Sequence, residues 1–242
     1  MIKTISLLYK IDLRQNKIAT SENQQVPIED KILIANEAIL KLVNKKIGDN
    51  NPTKVGFESN KKRYHDLQSL IESPEDHELT FTAKDKKLNK WASDISAITP
   101  SFLYLISGYL IADKGDCKDN IIIIDTDIVK HADVNVLLKD KNHKPSFEYQ
   151  STFSTLSSDN FEIYTDGTFD PKKGYISYIR YPQKIDFEGY EHFDGTGSTT
   201  IDSDLPEELE GELLDIIQED LAIYLANPES LQGAQLKLQA NE

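Results

Sequence analysis

The apolar residues in the first third of the chain are spaced for helices. From Pro27 to Ile47 they recur every three or four positions, which predicts a helix with an apolar stripe, and Gly48 marks its end. Similar spacing predicts an earlier helix over 2–15 and a third over 61–73. The connection 16–25 would turn the first helix back against the second as a hairpin. We expect the first helix to bury Ile5, Leu8, Tyr9 and Leu13.

The middle of the chain changes to apolar–polar alternation and to β-branched runs, which are typical of strands. The predicted strands are 120–129, 145–153, 160–167 and 174–182, of which the first is expected to be buried. Turn-forming residues separate them, so a mainly antiparallel sheet is expected. The segment before them, 94–111, predicts a helix broken at Pro100, because the residue before a proline avoids helical geometry.

The end of the chain combines an acidic loop with a strong helix. Residues 188–204 are rich in glycine and threonine, which predicts a mobile loop. A helix is expected from Pro206, because proline suits a first helical position and the glutamates after it favour the positive end of the helix dipole. The residues expected to be buried on this helix are Leu209, Leu213, Ile216, Ile217, Leu221 and Tyr224.

These elements predict an α+β fold. It would contain an N-terminal helical hairpin, a central mainly antiparallel β-sheet and a C-terminal helix packed on that sheet. We expect an N-terminal helical region over 1–75 and a β-rich region with the C-terminal helices over 76–242. The two regions could also form one integrated domain.

The net charge of the chain argues against some classes of binding partner. It carries 41 acidic and 27 basic residues, a formal net charge of −14. This balance argues against a protein that tracks along DNA, because phosphate binding needs a cationic face. No apolar run approaches the roughly 18 residues that a membrane-spanning helix needs. Basic residues concentrate in 41–90 and acidic residues in 186–220, a distribution that could guide head-to-tail association between copies.

The sharpest local motif is Asp125-x-Asp127, at the end of an isoleucine-rich strand. It resembles the first motif of haloacid-dehalogenase-type phosphatases and the metal site of nucleotide-sugar glycosyltransferases, and two neighbouring carboxylates can hold Mg²⁺. The alternative function is therefore a metal-dependent phosphoryl or glycosyl transferase that uses this pair. The alternating strands and helices of such a phosphatase are not evident in the sequence, and aspartates are also common in turns and at helix N-termini. We expect a protein without catalytic residues, metal or cofactor.

The last predicted strand carries aromatic residues and an isolated arginine within this acidic chain. Tyrosine and arginine are enriched where proteins bind other proteins. We therefore predict an interface at Tyr178, Arg180 and Tyr181. The acidic loop, through Phe193, would reach a neighbouring protein. The alternatives are ordinary core tyrosines beside a solvent-facing Arg180, or stacking on a sugar or base.

Two parts of the chain resemble phage proteins. The segment 7–48 resembles the N-terminal helical hairpin of structural proteins from crAss-like bacteriophages. The strand and proline of 175–187, followed by the helix of 204–229, are similar to the closing part of phage neck and tail proteins. The resemblance implies a virion component at the head–tail junction, on its head side or its tail side. The middle of the chain and the Asp125 pair are not part of it.

What this resemblance implies is a non-enzymatic ring or connector protein that links the portal to the tail. It would assemble in the cytoplasm of the bacterial host, as a ring of about a dozen copies. Its partners would be further copies of itself, the portal protein and other neck or tail proteins. An acidic lumen would let DNA pass without specific binding, because phosphate is repelled.

Overall fold

The chain forms two compact units. The computed structural model describes residues 1–18, 26–48, 61–73, 78–85, 88–96, 98–114, 121–192 and 195–225. We call the two units the helical unit (Met1–Leu70 with Pro182–Glu242) and the sheet unit (Ile71–Tyr181). This division differs from the predicted boundary at residue 75, because the last helix packs with the N-terminal helices. The predicted α+β class is confirmed, since helices occur together with a mixed, mostly antiparallel sheet.

The described helices largely follow the predicted ones. They are α1 (Thr4–Ile18), α2 (Ile28–Ile47), α3 (Lys61–Asp66), α4 (Val134–Leu137) and α5 (Glu210–Tyr224). The end of α2 is as predicted, and the N–H of Gly48 donates to the carbonyl of Asn44 at 2.9 Å. The third helix is shorter than predicted, because a 3-10 turn at Gln68–Leu70 and a short strand follow it.

The buried face of α1 is not the predicted one. Leu8 is buried, but Ile5, Tyr9 and Leu13 are 61%, 65% and 43% exposed. The residues that are buried on α1 and just before it are Ile2, Thr4, Leu7, Leu8 and Ile11. Long-range hydrogen bonds fix this orientation, since the N–H of Ile2 donates to Leu205 and the Thr4 hydroxyl to Ile201. Helical spacing alone could not reveal this anchor.

Helix α5 provides the apolar centre of the helical unit. It packs against α2 and α1. Of its predicted stripe, the buried members are Leu209, Leu213, Ile216, Ile217 and Leu221. Tyr224 is instead 55% exposed, and its hydroxyl donates to Asp30 at 2.9 Å. The stripe is therefore confirmed except at its last residue.

The sheet unit contains one sheet, in which the described residues form nine strands. These are β1 (Ile71–Glu72), β2 (Glu78–Leu79), β3 (Thr82–Asp85), β4 (Lys90–Asp94), β5 (Phe102–Asp113), β6 (Ile121–Ile128), β7 (Ser151–Ser157), β8 (Asn160–Tyr164) and β9 (Asp170–Arg180). The order is β1-β9-β5-β6-β7-β8-β4-β3, with β2 also paired to β9. Strands β6 and β7 are parallel, and the other described pairs are antiparallel.

The prediction of a helix over 94–111, broken at Pro100, is wrong. The residues after this proline form β5, which pairs with β9 along its length and with β6 over its second half. An apolar run fits a buried helix or a buried strand equally well by spacing, and pairing with two long strands decides the outcome. The strand predicted over 145–153 is also displaced, since β7 begins only at Ser151.

Candidate interaction surfaces

Strand β6 exposes isoleucines that the sequence predicted to be buried. Side chains alternate across a strand, so Ile121, Ile123, Asp125 and Asp127 share one face. Ile121 is 62% exposed and Ile123 is 61% exposed, whereas Ile124 on the other face is fully buried. The buried-strand prediction is therefore wrong for one face, because the core covers only the Ile124 side.

Neighbouring strands extend this exposed surface. In the antiparallel ladder, Ile123 lies opposite Ile111, and Asp125 lies opposite Tyr109. The Tyr109 ring stacks on Tyr175 of β9 with a centroid distance of 5.0 Å. A register shift between Leu105 and Ser107 places Tyr104, which is 49% exposed, on the same face of β5 as Tyr109. We call this surface the apolar face; its members are Tyr104, Tyr109, Ile111, Ile121, Ile123 and Tyr175.

The Asp125-x-Asp127 motif borders the apolar face. Both side chains are exposed, and they lie two residues apart on the same side of β6. Within the described part of the chain, no group of three or more His, Cys, Asp or Glu side chains is arranged to hold a metal ion. The transferase alternative thus stays a prediction, and the geometry shows the pair as an acidic edge beside apolar surface.

The predicted interface residues on β9 have different environments. Tyr178 is fully buried, and its hydroxyl donates to the carbonyl of Pro100 at 2.8 Å. Burial, with a contribution from Glu72, raises the pKa of Tyr178 to about 12. Tyr178 is thus a core residue with no surface to offer a partner. Arg180 forms an ion pair with Glu72, with its Nε 2.9 Å from the carboxylate.

Among the predicted interface residues, Tyr181 is substantially exposed, with 48% of its surface accessible to solvent. It follows directly after β9, and its N–H donates to Ser101 at 3.1 Å. Phe193, the fourth predicted residue, lies outside the described residues. Of the predicted interface residues, Tyr178 is therefore structural, whereas Tyr181 remains exposed.

In the helical unit, a polar cluster surrounds the buried carboxylate of Asp186. Asp186 is 8% exposed, and it accepts hydrogen bonds from the Tyr190 hydroxyl at 2.6 Å and from His192 Nε2 at 3.1 Å. The backbone N–H groups of Phe187 and Thr199 also donate to its carboxylate, at 2.8 and 3.0 Å. We call these five residues the Asp186 cluster. The sequence did not single them out, although Asp186, Tyr190 and His192 lie close together in it.

The Asp186 cluster organises the segment that was predicted to be a mobile loop. Asp186 and Ile201 form an antiparallel bridge, with N–H to carbonyl distances of 3.2 and 3.0 Å in the two directions. Glu191 and Gly197 form a second bridge within the loop. The described residues of 188–204 therefore form a closed loop with its ends paired. Glycine and threonine content could not show this, because the pairing joins backbone groups as far apart in sequence as Asp186 and Ile201.

The protonation of the cluster follows from its hydrogen bonds. Burial alone would raise the pKa of Asp186. The hydrogen bonds from Tyr190, Thr199, Phe187 and His192 to the carboxylate outweigh burial and hold the pKa of Asp186 below its ordinary value of 3.8. Burial and the bond to Asp186 raise the pKa of the Tyr190 phenol. At neutral pH, the cluster is therefore a buried carboxylate bonded to a phenol.

A groove of about 790 Å³ lies between this loop and the first turns of α2. Carboxylates of both sides line it: Glu29 and Asp30 from α2, and Asp186 and Glu191 from the loop. Leu33 contributes apolar surface that is 60% exposed. The basic lining residues are Lys184 and His192. We call this site the acidic groove.

The opposite end of α2 is basic. Lys45 and Lys46 lie in its last turn, and α3 begins with Lys61, Lys62 and Arg63. The Arg63 guanidinium donates to the carbonyl of Gly48 at 3.3 Å, which holds α3 at this end. Lys61 and Lys62 are exposed. We call Lys61, Lys62 and Arg63 the basic end; nearby, Glu208 lies 4.0 Å from His65.

Neither a scan of protein-family models nor a search of curated proteins finds a match for this chain. The resemblance to phage neck and tail proteins therefore stays a prediction. Among the helices that the structure describes, none combines the length and the apolar character needed to cross a bilayer.

Proposed function

We propose that this chain is a non-enzymatic structural protein of a phage virion, located at the head–tail junction. It would assemble with further copies of itself and connect the portal to the tail. The resemblance of both ends of the chain to phage structural proteins motivates this position. The exposed surfaces of the two units motivate a role in assembly.

The observation that carries the proposal is the apolar face. Ile121 and Ile123 expose 62% and 61% of their surface, beside the partly exposed tyrosines of β5 and β9. Single exposed apolar residues are ordinary, but a contiguous patch typically marks a protein–protein contact. A structural protein that is permanently assembled has a use for such a patch.

The chemistry of the face defines its partner. Asp125 and Asp127 continue the same face of β6 beyond the isoleucines. A complementary surface is therefore apolar at its centre and carries lysine or arginine at the edge that meets these aspartates. We assign this contact to a neighbouring virion protein, the portal protein or a tail protein.

The experiment is quantitative mass spectrometry of purified phage particles from infected host cells. We expect about a dozen copies of the wild-type chain per particle, commensurate with a portal ring. A variant with Ile121→Ser and Ile123→Ser should be depleted from particles by at least about tenfold, because it removes the apolar centre of the contact.

The matched control is Val136→Ser. Val136 on α4 is 67% exposed but lies outside the apolar face, so its replacement should leave the copy number unchanged. Circular dichroism of the purified variants checks that each is folded. Absence of the wild-type chain from particles would overturn the proposed function, and normal incorporation of the double variant would overturn the role of the apolar face.

A further inference from the structure

We infer that the acidic groove of one copy binds the basic end of a second copy, so that helical units associate head to tail. This inference rests on the proposed function, since it names a contact within the proposed assembly. It concerns the helical unit alone and is separate from the contact that we assign to the apolar face.

The charge of the groove comes mainly from carboxylates at its rim. Glu29 and Glu191 line the groove and are exposed. Asp186 at its base is already bonded to four donors, so it shapes the loop more than it attracts a ligand. Asp30 likewise accepts a hydrogen bond from Tyr224. The two glutamates are therefore the groups that a cationic partner would meet first.

The basic end has the features that fit such a groove. Lys61 and Lys62 are exposed on a short helix, and the neighbouring Tyr64 is 43% exposed. Lysine stems and a tyrosine ring can cover apolar surface while their polar ends remain near charge. In the groove, Leu33 offers that apolar surface, 60% exposed. The two sites are thus complementary in charge and in apolar content.

The acidic groove and the basic end are too far apart within one copy to bind each other, so the contact must join two copies. They lie at opposite ends of α2, whose 20 residues span about 30 Å. A copy therefore cannot place its own basic end in its own groove. A contact between two different patches is heterologous, and it generates a ring when the rotation closes and a filament when it does not. The geometry thus provides the type of contact that a ring protein needs.

Complementary charge reversal tests the inference. One variant carries Glu29→Lys and Glu191→Lys, and the other carries Lys61→Glu and Lys62→Glu. Each variant alone would place like charges at the contact, so its self-association constant should fall by at least about tenfold relative to wild type. An equimolar mixture should regain association, because each reversed site meets an opposite charge. Sedimentation velocity at low and high salt measures all three samples.

The control is a variant with Glu148→Lys and Glu188→Lys, which makes the same change in net charge as the groove variant, at residues outside the two sites. Both residues are exposed and neither lines the groove. We expect this variant to associate as the wild type does. If it is impaired as strongly as the reversed variants, net charge and not the groove controls association, and the inference fails.

Three further results would overturn the inference. In the first, each reversed variant associates normally. In the second, both variants are impaired but their mixture does not recover. In the third, wild type stays monomeric at low salt while it binds a lysine-rich peptide, which would assign the groove to a different protein. The copy number in virions tests the proposed function independently, so a normal copy number with a failed charge reversal would reject this contact alone.

Discussion

Different interactions stand out within the helical unit and within the sheet unit. In the helical unit, ion pairs connect α5 to α1, about 200 residues earlier in the chain. Lys10 bonds to Glu210 and Arg14 to Asp215, both at 2.5 Å, with sequence separations of 200 and 201 residues. In the sheet unit, the centre is an apolar cluster around Phe161 and Tyr178, both almost fully buried.

The exposed surfaces differ in the same way. The helical unit presents an acidic groove and a basic end, whereas the sheet unit presents the apolar face. At 0.1 M salt, the attraction between exposed charges decays over a distance of about 10 Å. Apolar contacts are not weakened by salt in this way. The two units can therefore form contacts that differ in their response to salt. A ring contact through the helical unit would be reversible by salt, and a contact through the apolar face would persist.

The largest effect on stability is expected from Phe161→Ala in the sheet unit. Phe161 is 1% exposed within the apolar cluster. Truncation removes a buried ring and leaves a cavity, so we expect a loss of about 4 kcal/mol in the free energy of unfolding of this unit. Urea unfolding followed by circular dichroism measures it. The loss should be similar at low and high salt, because no charge is involved.

The matched control is Ile123→Ala on the apolar face of the same sheet. Its side chain is 61% exposed, so we expect the free energy of unfolding to change by less than about 1 kcal/mol. A large loss in this variant would show that the apolar face is covered within the folded chain. That result would remove the reason for assigning it to a partner.

A somewhat smaller effect is expected from Lys46→Ala in the helical unit. The Lys46 ammonium lies 3.0 Å from Asp66 and 2.8 Å from Glu212. Because the Asp66 side chain is only 4% exposed, removal of the lysine leaves a buried charge without its counter-ion. We expect a loss of about 3 kcal/mol in the free energy of unfolding, measured by urea denaturation.

Lys41→Ala removes a second ion pair between α2 and α5, in which the lysine is more exposed than Lys46. Comparison of the two variants therefore tests how much the burial of an ion pair matters. Lys41 on α2 bonds to Asp220 on α5 at 2.6 Å; the lysine side chain is 54% exposed and that of Asp220 is 14% exposed, compared with 4% for Asp66. Exposed ion pairs contribute little, so we expect a loss below about 1 kcal/mol that shrinks with added salt. Equal losses in the two lysine variants would contradict the view that buried ion pairs determine the packing of α5.

The sequence allowed α2 and most of the α5 stripe to be predicted, because their apolar spacing and end residues agree with the tertiary packing. For α1 the same reasoning chose the wrong face. Its orientation depends on the hydrogen bonds of Ile2 and Thr4 to Leu205 and Ile201, some 200 residues away. Segment 94–111 failed for a related reason, since only the pairing with β9 and β6 makes it a strand.

The candidate surfaces were less accessible from the sequence. Four consecutive isoleucines indicate burial on both faces, and exposure of Ile121 and Ile123 becomes visible only when the core is seen to cover one side. The charge asymmetry was visible in the sequence, but its position at the two ends of α2 was not. Tyr178 shows the converse, since a residue type enriched at interfaces is here part of the core.

Among the three buried groups, the smallest effect is expected at Asp186, where the helical unit uses a buried carboxylate to close a loop. Asp186→Asn replaces one acceptor oxygen by an NH₂ group that faces other donors. The unpaired donors should cost about 2 kcal/mol in the free energy of local opening of the loop. Hydrogen exchange of the Thr199 amide, which donates to Asp186, measures this opening. Glu191→Gln is the control, because Glu191 is exposed and makes no bond to the cluster in the described structure.

The pH dependence distinguishes a charge effect from a packing effect. The pKa of Asp186 is lowered in the folded chain, so its stabilisation is fully present above the unfolded value of 3.8 and is lost as pH falls through the folded pKa. The difference between wild type and Asp186→Asn should therefore be constant near neutral pH and should shrink below pH 3.8. A difference that persists unchanged in acid would mean that the shape of the side chain, and not its charge, closes the loop that forms one wall of the acidic groove.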